Sequence, residues 1–131
     1  MKTNDLTKFV ISEFEKIGAE AERVDSVGMY DPARGAFRRK KGKKGNPDIS
    51  AKLTNGRTVH AEIKVGSDKL RLSQYQRITE LQSKGEACAI IKEPEDFEKW
   101  KKDFFRPLTA NELNQHLVRK TRPAKKLPFG F

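Results

Sequence analysis

Apolar and polar residues alternate along residues 48–53 and again along residues 58–65, with a short turn sequence between the two runs. This period of two is typical of β-strands, and we expect the two runs to form a hairpin. The apolar positions are Ile49, Ala51 and Leu53 in the first run and Val59, Ala61, Ile63 and Val65 in the second. One face of the hairpin would therefore pack on the core, while Asp48, Glu62 and Lys64 would share the other face.

The length of the turn decides which residues of the hairpin lie opposite each other. A two-residue loop would place Ile49 opposite Glu62, an apolar side chain against a charged one. A three-residue loop ending in Gly56, with that glycine in the left-handed conformation, instead pairs Ile49 with Ala61. In that register Asp48 lies directly opposite Glu62. Because a slip of one residue turns every side chain to the wrong face, the pattern favours the three-residue loop.

Two facing carboxylates repel each other unless a cation lies between them. Hard divalent ions such as Mg²⁺ and Mn²⁺ prefer an all-oxygen site of this kind, so we expect Asp48 and Glu62 to hold one. Lys64 beside it would stabilise an attacking water or the negative charge that develops on a phosphate. The alternative is an ordinary exposed strand that carries a Glu–Lys pair, as many proteins do.

The chain is strongly basic, with a net charge of +10 over 131 residues, and nucleic acid is the first partner that this charge indicates. Ribosomal and other RNA-binding proteins are equally basic, so charge by itself does not indicate an enzyme. A long glycine-containing connection, residues 27–46, is dense in lysine and arginine and leads directly to Asp48. We expect it to clamp the phosphate backbone, although a solvated basic loop would have the same composition. The candidate nucleic-acid-binding residues are Arg34, Arg38, Arg39, Lys40, Lys41, Lys43 and Lys44 in this connection, with Lys69 and Arg71 after the hairpin.

The remaining periodicities predict four helices and two further strands. The first helix is expected from Thr3 or Asn4 to Gly18 and the second at residues 73–84. The third is expected at residues 95–105, with Phe97, Trp100 and Phe104 inward, and the fourth begins at Thr109, with Leu113, Leu117 and Val118 inward. The two strands are expected at residues 19–26 and 86–92. This order predicts an α/β domain at residues 1–118, a small mixed sheet with helices on both faces and extra carboxy-terminal helices. Residues 119–131 would form a basic tail.

Three short motifs together resemble a known family. Gly45-x-Pro47-Asp48 followed by Glu62-Ile63-Lys64 resembles the signature of the PD-(D/E)XK nucleases, and Ser73-x-x-Gln76 is similar to the VRR-NUC branch of that superfamily. The resemblance extends to Arg23-x-x-Ser26-x-Gly28 upstream and Glu95-Asp96-Phe97 downstream. It covers about residues 3 to 105 and implies a restriction-endonuclease-like fold with the order αβββαβ. It also implies that Asp48 and Glu62 bind the metal, that the Ile63 carbonyl adds a ligand, that Lys64 is catalytic, and that Gln76 reaches the site from its helix.

Two assignments stay open at this point. Ser73-x-x-Gln76 is also a capping-box pattern, in which Gln76 would accept from the Ser73 amide instead of facing the metal. Nucleases of this fold commonly carry an acid on the first helix; Asp5 matches the position in the family pattern, whereas Glu13 lies within the apolar face of the helix.

The sequence therefore predicts a divalent-metal-dependent DNA endonuclease that hydrolyses phosphodiester bonds with Mg²⁺ or Mn²⁺. The resemblance is to stand-alone phage and bacterial proteins, some similar in activity to Holliday-junction resolvases, which implies a homodimer and leaves duplex and branched DNA open as substrates. No apolar run is long enough to span a bilayer, and the single Cys88 suits a reducing compartment, so we expect the cytoplasm of a bacterium or a phage-infected cell. The alternative is a nucleic-acid-binding module that keeps a nuclease fold without cleaving.

Overall fold

The computed structural model describes residues 1–24, 29–31, 36–38 and 45–118. The elements in chain order are α1 (Thr3–Lys16), β1 (Glu20–Arg23), β2 (Met29–Asp31), β3 (Ala36–Arg38), β4 (Ile49–Lys52), β5 (Thr58–Ile63), α2 (Leu72–Ser83), β6 (Ala87–Ile91), α3 (Pro94–Lys102) and α4 (Ala110–His116). The predicted basic tail, residues 119–131, lies outside this part of the chain. No described helix has the length and apolar character needed to cross a membrane.

The main sheet has four strands in the order β1-β4-β5-β6, and it is mixed as predicted. The neighbours β1, β4 and β5 run antiparallel, while β6 runs parallel to β5 through the crossover helix α2. The predicted three-residue turn is confirmed: the Leu53 amide donates to the Arg57 carbonyl over 2.8 Å, and Gly56 has a φ of 91°. Ile49 consequently pairs with Ala61.

Each face of the sheet carries its own apolar core, because successive side chains of a strand point to opposite faces. The odd-numbered residues of β4 and β5 pack against α1 and α3, around the buried rings of Phe14, Phe97 and Trp100. On the opposite face, Ile78 and Leu81 of α2 pack with residues of β6 and α4. This arrangement, helix–strand–hairpin–helix–strand with a sheet covered on both faces, is the predicted α/β fold.

The long connection between β1 and β4, which the sequence analysis treated as a loop, contains two short strands. Strands β2 and β3 pair antiparallel in a separate two-stranded sheet, with Tyr30 opposite Phe37. Single strands of three residues carry too little alternation to be recognised in a basic, glycine-rich sequence.

The end of α3 also differs from the prediction. Phe104 is 82% exposed rather than inward, and Phe105 takes the core position. Both residues adopt left-handed backbone conformations, with φ of 58° and 54°, so the chain reverses where a helix was expected to continue. The guanidinium of Arg57 holds this bend by donating to the carbonyls of Phe104 and Phe105 over 2.9 and 2.8 Å.

The last helix is shorter than its apolar pattern indicated. Helix α4 ends at His116, and of the three residues expected inward only Leu113 is buried, while Val118 is 49% exposed. The chain beyond the helix pairs with the loop before α2, since the Leu70 amide donates to the His116 carbonyl and the Val118 amide donates to the Leu70 carbonyl. This backbone pairing competes with continuation of the helix.

Candidate metal and nucleic-acid site

The hairpin register places Asp48 at the start of β4 and beside the end of β5. Asp48 Oδ2 accepts a hydrogen bond of 2.8 Å from the Ile63 amide. In an antiparallel ladder that amide would otherwise bond to the residue paired with Ile63, which is Pro47 in this register. The aspartate side chain therefore ends the ladder and is fixed against β5.

The Ile63 carbonyl lies on the same side of β5 as its amide, because both groups of one residue point to the same neighbouring strand. Its ladder partner would be the amide of Pro47, and proline has no N–H to donate. Pro47 thus leaves this carbonyl without the donor that a regular strand would supply, next to Asp48. It is placed where it could serve as a metal ligand, and the ligand role that the family motif implies stays a prediction.

Glu62 is buried on the face of β5 that also carries Lys64. Its side chain is 2% exposed, and Oε2 lies 3.5 Å from the Lys64 ammonium nitrogen. The other oxygen, Oε1, is buried and has no hydrogen-bond partner among the residues that the structure describes. Burial and the neighbouring Asp48 charge raise the pKa of Glu62 to about 8, although Lys64 opposes the shift. Within the described residues, this oxygen is therefore available to a donor or a cation that those residues do not supply.

The pKa of Asp48 is also raised, and neighbouring groups again oppose the shift. Burial raises the pKa of Asp48, while the Ile63 amide and the positive charges of Lys64, Arg23 and Arg71 lower it. Burial raises the pKa of both neighbouring acids, and Glu62 Oε1 has no partner among the described residues. A hard divalent cation fits such a pair, because it would stabilise the charged form of each acid.

The number of ligands also favours this class of ion. Within the described ranges no three His, Cys, Asp or Glu side chains cluster as a metal site, so these residues offer two carboxylates and a carbonyl. Mg²⁺ is usually held by one or two carboxylates and keeps several waters or substrate phosphates, whereas zinc sites use three or four His, Cys or acidic ligands. The residues present therefore fit Mg²⁺ or Mn²⁺.

A glutamine does reach the site from α2, but it is Gln74 and not the predicted Gln76. Gln74 is 7% exposed and donates from Nε2 to Glu62 Oε2 over 3.0 Å. Gln76 is exposed, because residues two apart differ by about 200° around a helix. The capping-box reading is displaced in the same way: Gln74 Oε1 accepts from the Arg71 amide over 2.9 Å, so the cap lies two residues earlier than Ser73-x-x-Gln76.

The segment before Asp48 is held against the start of α2. Gly45 has a φ of 81°, and a β-carbon at this position would clash with the Ser73 carbonyl group. The next residue, Asn46, accepts from Arg77 Nε over 2.6 Å. Both special residues of the Gly45-x-Pro47-Asp48 motif thus have a local explanation. Gly45 allows the close approach of the Ser73 backbone, and Pro47 ends the hydrogen-bond ladder between β4 and β5.

The predicted phosphate-binding residues are only partly covered by the structure. Arg34, Arg39, Lys40, Lys41, Lys43 and Lys44 lie outside the described residues, and Arg38 is described only as backbone in β3. Arg71 lies close enough to Asp48 to lower its pKa, and Lys69 is exposed, with Nζ 3.4 Å from the Gln115 carbonyl.

Arg23 was not among the predicted site residues, yet its charge also acts on Asp48. It pairs with Ile49 in the register of β1 and β4 and donates to Asn4 Oδ1 over 2.6 Å. The signal in the sequence was the pattern Arg23-x-x-Ser26-x-Gly28, which is part of the family resemblance but does not show that Arg23 lies near Asp48.

Neither candidate acid of the first helix makes a described contact with the site. Glu13 forms an ion pair of 2.8 Å with Lys16, and Asp5 is exposed in the first turn of α1. Arg23 and Asn4 tie the beginning of α1 to the strand next to Asp48, so Asp5 lies at the nearer end of the helix. Glu13 lies more than two turns further along it.

His60 shares the face of Glu62 but does not join the site. It is 8% exposed, and its Nε2 lies 2.7 Å from Glu86 Oε1.

Comparison with known proteins supports the architecture. A solved structure described as "VRR_NUC domain" matches with a TM-score of 0.59 over 78% of this chain and 96% of that chain. The chain has the fold of a VRR_NUC domain. The aligned sequences are 16% identical, so the similarity is one of fold, and it confirms the restriction-endonuclease-like architecture expected from the motifs. No protein-family model and no curated protein matches the sequence.

Proposed function

We propose that the protein is a divalent-metal-dependent DNA endonuclease that hydrolyses phosphodiester bonds. The observation that carries this proposal is the buried Oε1 of Glu62, which has no hydrogen-bond partner among the described residues. The pKa of this carboxyl group is raised by burial and by the Asp48 charge, and its other oxygen, Oε2, lies 3.5 Å from the Lys64 ammonium nitrogen. The fold supports it, because the solved structure that matches is described as a VRR_NUC domain, and the motifs of this sequence resemble the VRR-NUC nucleases.

Asp48, Glu62 Oε1 and the Ile63 carbonyl would hold Mg²⁺ or Mn²⁺. When bound, such an ion acts as a Lewis acid on the scissile phosphate and makes a bound water more acidic. Lys64 is 8% exposed, and its ammonium group is held 3.5 Å from Glu62, so it is fixed where it can donate to the attacking water or to the phosphate oxygens. Burial of this lysine strengthens that interaction, because water screens it less.

Arg23 and Arg71 would bind the phosphates that flank the scissile bond. Both guanidinium groups are exposed and both act electrostatically on Asp48, so they can reach a backbone that crosses the carboxylates. Arginine binds phosphate oxygens through two parallel donors, which fixes orientation as well as charge. In this proposal, Lys69 and the basic residues of the β1–β4 connection, most of which lie outside the described residues, would bind further phosphates of the DNA.

Duplex, flap and four-way-junction DNA are the candidate substrates. A homodimer forms part of the proposal, because cutting two opposed strands of a junction requires two sites. We place the activity in the cytoplasm of a bacterium or of a phage-infected cell, where the thiol of Cys88 stays reduced.

The experiment incubates the protein with end-labelled linear duplex, flap and four-way-junction DNAs, each with Mg²⁺, Mn²⁺ or chelator. Asp48→Asn is the blank, since it keeps the shape of the side chain and removes the charge. Cleavage by the wild type that requires metal and is lost in the variant supports the proposal. If the wild type binds DNA but cleaves none of the panel with either metal, the proposal fails and the chain is a binding module on this fold.

A further inference from the structure

We infer that Lys69, Lys92 and His116 form a second phosphate-binding cluster, which holds the DNA backbone on the β6 side of the proposed metal site. This inference rests on the proposed function and adds to it a direction for the DNA across the protein. Its basis is that basic side chains from three separate segments meet at the edge of the sheet where the two carboxylates lie.

Contacts with the backbone bring the three segments of this cluster together. The Lys92 ammonium group donates to the Gly66 carbonyl over 2.8 Å, so the end of β6 is tied to the loop that contains Lys69. Lys69 Nζ in turn lies 3.4 Å from the Gln115 carbonyl, and the next residue, His116, ends α4. The loop after β5, the end of β6 and the end of α4 therefore converge at one place.

The two ammonium groups keep most of their capacity to bind a ligand. Among the described residues, each has a backbone carbonyl as its hydrogen-bond partner and neither forms an ion pair with a carboxylate. An ammonium group has three N–H donors, so Lys69 and Lys92 each retain two donors and a full charge. Phosphate oxygens are acceptors that match both properties.

His116 lies near enough to the two lysines to respond to their charges. Burial, followed by the charges of Lys92 and Lys69, lowers the pKa of His116, so the ring is mainly neutral at pH 7. A phosphate bound between the three groups would favour the protonated ring, because an opposite charge stabilises the charged form. We therefore expect the cluster to take up a proton when it binds DNA.

Two acids also face this histidine and oppose the shift of its pKa, but both are bound to other groups. Asp96 accepts from the amides of Lys92 and Glu93 over 2.8 and 3.0 Å at the start of α3. Glu112 accepts from the guanidinium of Arg106 over 3.0 and 2.8 Å, one bond to each oxygen. The two lysines and the arginine outnumber these acids, so the cluster stays positive while the histidine is neutral.

The strand order places this cluster and the two arginines on opposite sides of the carboxylates. Arg23 ends β1, opposite the start of β4, which Asp48 precedes. Ile63 at the end of β5 pairs with Ile91, the last residue of β6, and Lys92 follows directly. Neighbouring strands lie about 4.8 Å apart, so the edge from β1 to β6 spans about 14 Å. At about 3.4 Å per nucleotide, a DNA strand that follows this edge would cover about four nucleotides.

The test measures the affinity for a labelled linear duplex by fluorescence anisotropy in chelator, over a range of salt concentrations. The variants are Lys69→Ala and Lys92→Gln, and the glutamine keeps a donor near the Gly66 carbonyl while it removes the charge. Losing one phosphate contact should make the slope of log K against log salt less negative by about 0.9 in each variant. Lys92→Arg keeps the charge and the donors, so it should retain the wild-type slope.

Lys102→Gln is the matched control for the loss of one positive charge. Lys102 is exposed at the end of α3, and the chain just beyond it is bound by Arg57 at the hairpin turn, so it lies at the other end of the sheet. Its slope should equal that of the wild type.

His116→Gln tests the proton uptake. As the pH falls from about 7.5 to about 5.5, the ratio of wild-type to variant affinity should rise, by no more than about tenfold per pH unit because one proton is taken up. A ratio that stays constant over this range would overturn the part assigned to His116.

Wild-type slopes in both Lys69→Ala and Lys92→Gln overturn the cluster and leave the proposed nuclease intact. An equal change of slope in Lys102→Gln also overturns it, because the effect would then come from overall charge. If the slopes change as expected but the wild type cleaves no DNA with either metal, the proposed nuclease fails while the cluster is supported as a DNA-binding surface.

Discussion

Glu62 is the residue whose environment departs furthest from what an acid prefers. It is almost fully buried, it faces a second acid, and one of its oxygens has no donor in the described structure. Such a group is retained at a cost in stability, which is typical of functional sites. The cost should be visible in the metal-free protein.

The stability of the metal-free protein should fall as the pH rises from about 4.5 to about 8. The pKa of Glu62 lies near 8 in the fold against an ordinary value of 4.5, so within this window the folded state binds more protons than the unfolded state. Each unit of raised pKa lowers the free energy of unfolding by about 1.4 kcal/mol once the pH exceeds the folded-state pKa.

Urea unfolding in chelator across this pH range measures the effect, with Glu62→Gln as the comparison. The variant should lose most of the fall and be more stable than the wild type at pH 8 and above. Identical pH profiles for the two proteins would show that Glu62 titrates normally.

Lys64→Ala should abolish cleavage while leaving DNA affinity nearly unchanged. The ammonium group lies within the site at 3.5 Å from Glu62, where it can act on the reacting atoms, but it is too buried to supply much of the general attraction to DNA. Single-turnover cleavage and fluorescence anisotropy separate the two properties. Retained cleavage would remove Lys64 from the mechanism.

The pairing of Asp48 with Glu62 could be predicted because the turn length and the apolar alternation agreed on one register. That Gln74 rather than Gln76 faces the site could not be predicted in this way. Ser73-x-x-Gln76 and Arg71-x-x-Gln74 are both compatible with a helix start, and the phase of α2 depends on a contact distant in sequence, that of Gly45 with Ser73.

At the scale of elements, the site exists where the hairpin β4–β5 meets the first turn of α2. Gly45 is the point of closest approach, and its positive φ and the nearby Ser73 carbonyl both exclude a side chain. Asp48 follows three residues later, so the contact of Gly45 with the start of α2 also fixes the position of the Asp48 carboxylate.

Gly45→Ala should therefore destabilise the protein and also reduce cleavage. Gly56→Ala is the matched control, because Gly56 has a similar φ of 91° but open space around a new β-carbon. Both changes carry the conformational cost of about 1–2 kcal/mol for a left-handed alanine, and only Gly45→Ala adds a backbone clash. Thermal unfolding and cleavage at a temperature where both variants are folded provide the measurements; equal losses would show that the contact with Ser73 is unimportant.

Element types were well predicted, and element ends were not. Phe97, Trp100 and Phe104 follow helical spacing, but the chain reverses at Phe104 because Arg57, 47 residues earlier, binds its carbonyl. Likewise, α4 stops where Val118 pairs with Leu70. In both places a long-range hydrogen bond to the backbone outweighs the local pattern, and no local pattern encodes it.

At the scale of the whole molecule, charge is distributed unevenly around the site. Glu20 and Glu22 line a shallow depression on β1 and β4 together with a single lysine, Lys52, whereas Arg23 and Arg71 lie near Asp48. Phosphates are attracted more strongly to the two arginines, so we expect the DNA backbone to follow the basic groups at the strand ends.

Arg71→Ala should make DNA binding less salt-dependent. Losing one phosphate contact makes the slope of log K against log salt less negative by about 0.9 for duplex DNA. Lys99→Ala removes the same charge from an exposed position of α3, on the opposite face of the sheet, and should leave the slope unchanged. Equal slopes for the two variants would mean that Arg71 contributes only to overall charge.

Anomalous scattering from crystals soaked in Mn²⁺ tests the cation site most directly. We expect one strong peak bounded by the Asp48 carboxylate, Glu62 Oε1 and the Ile63 carbonyl, with metal–oxygen distances of about 2.0–2.2 Å. A fully soaked crystal with no peak at this position, or with its only peak elsewhere on the protein, would contradict the assignment of these residues as a metal site.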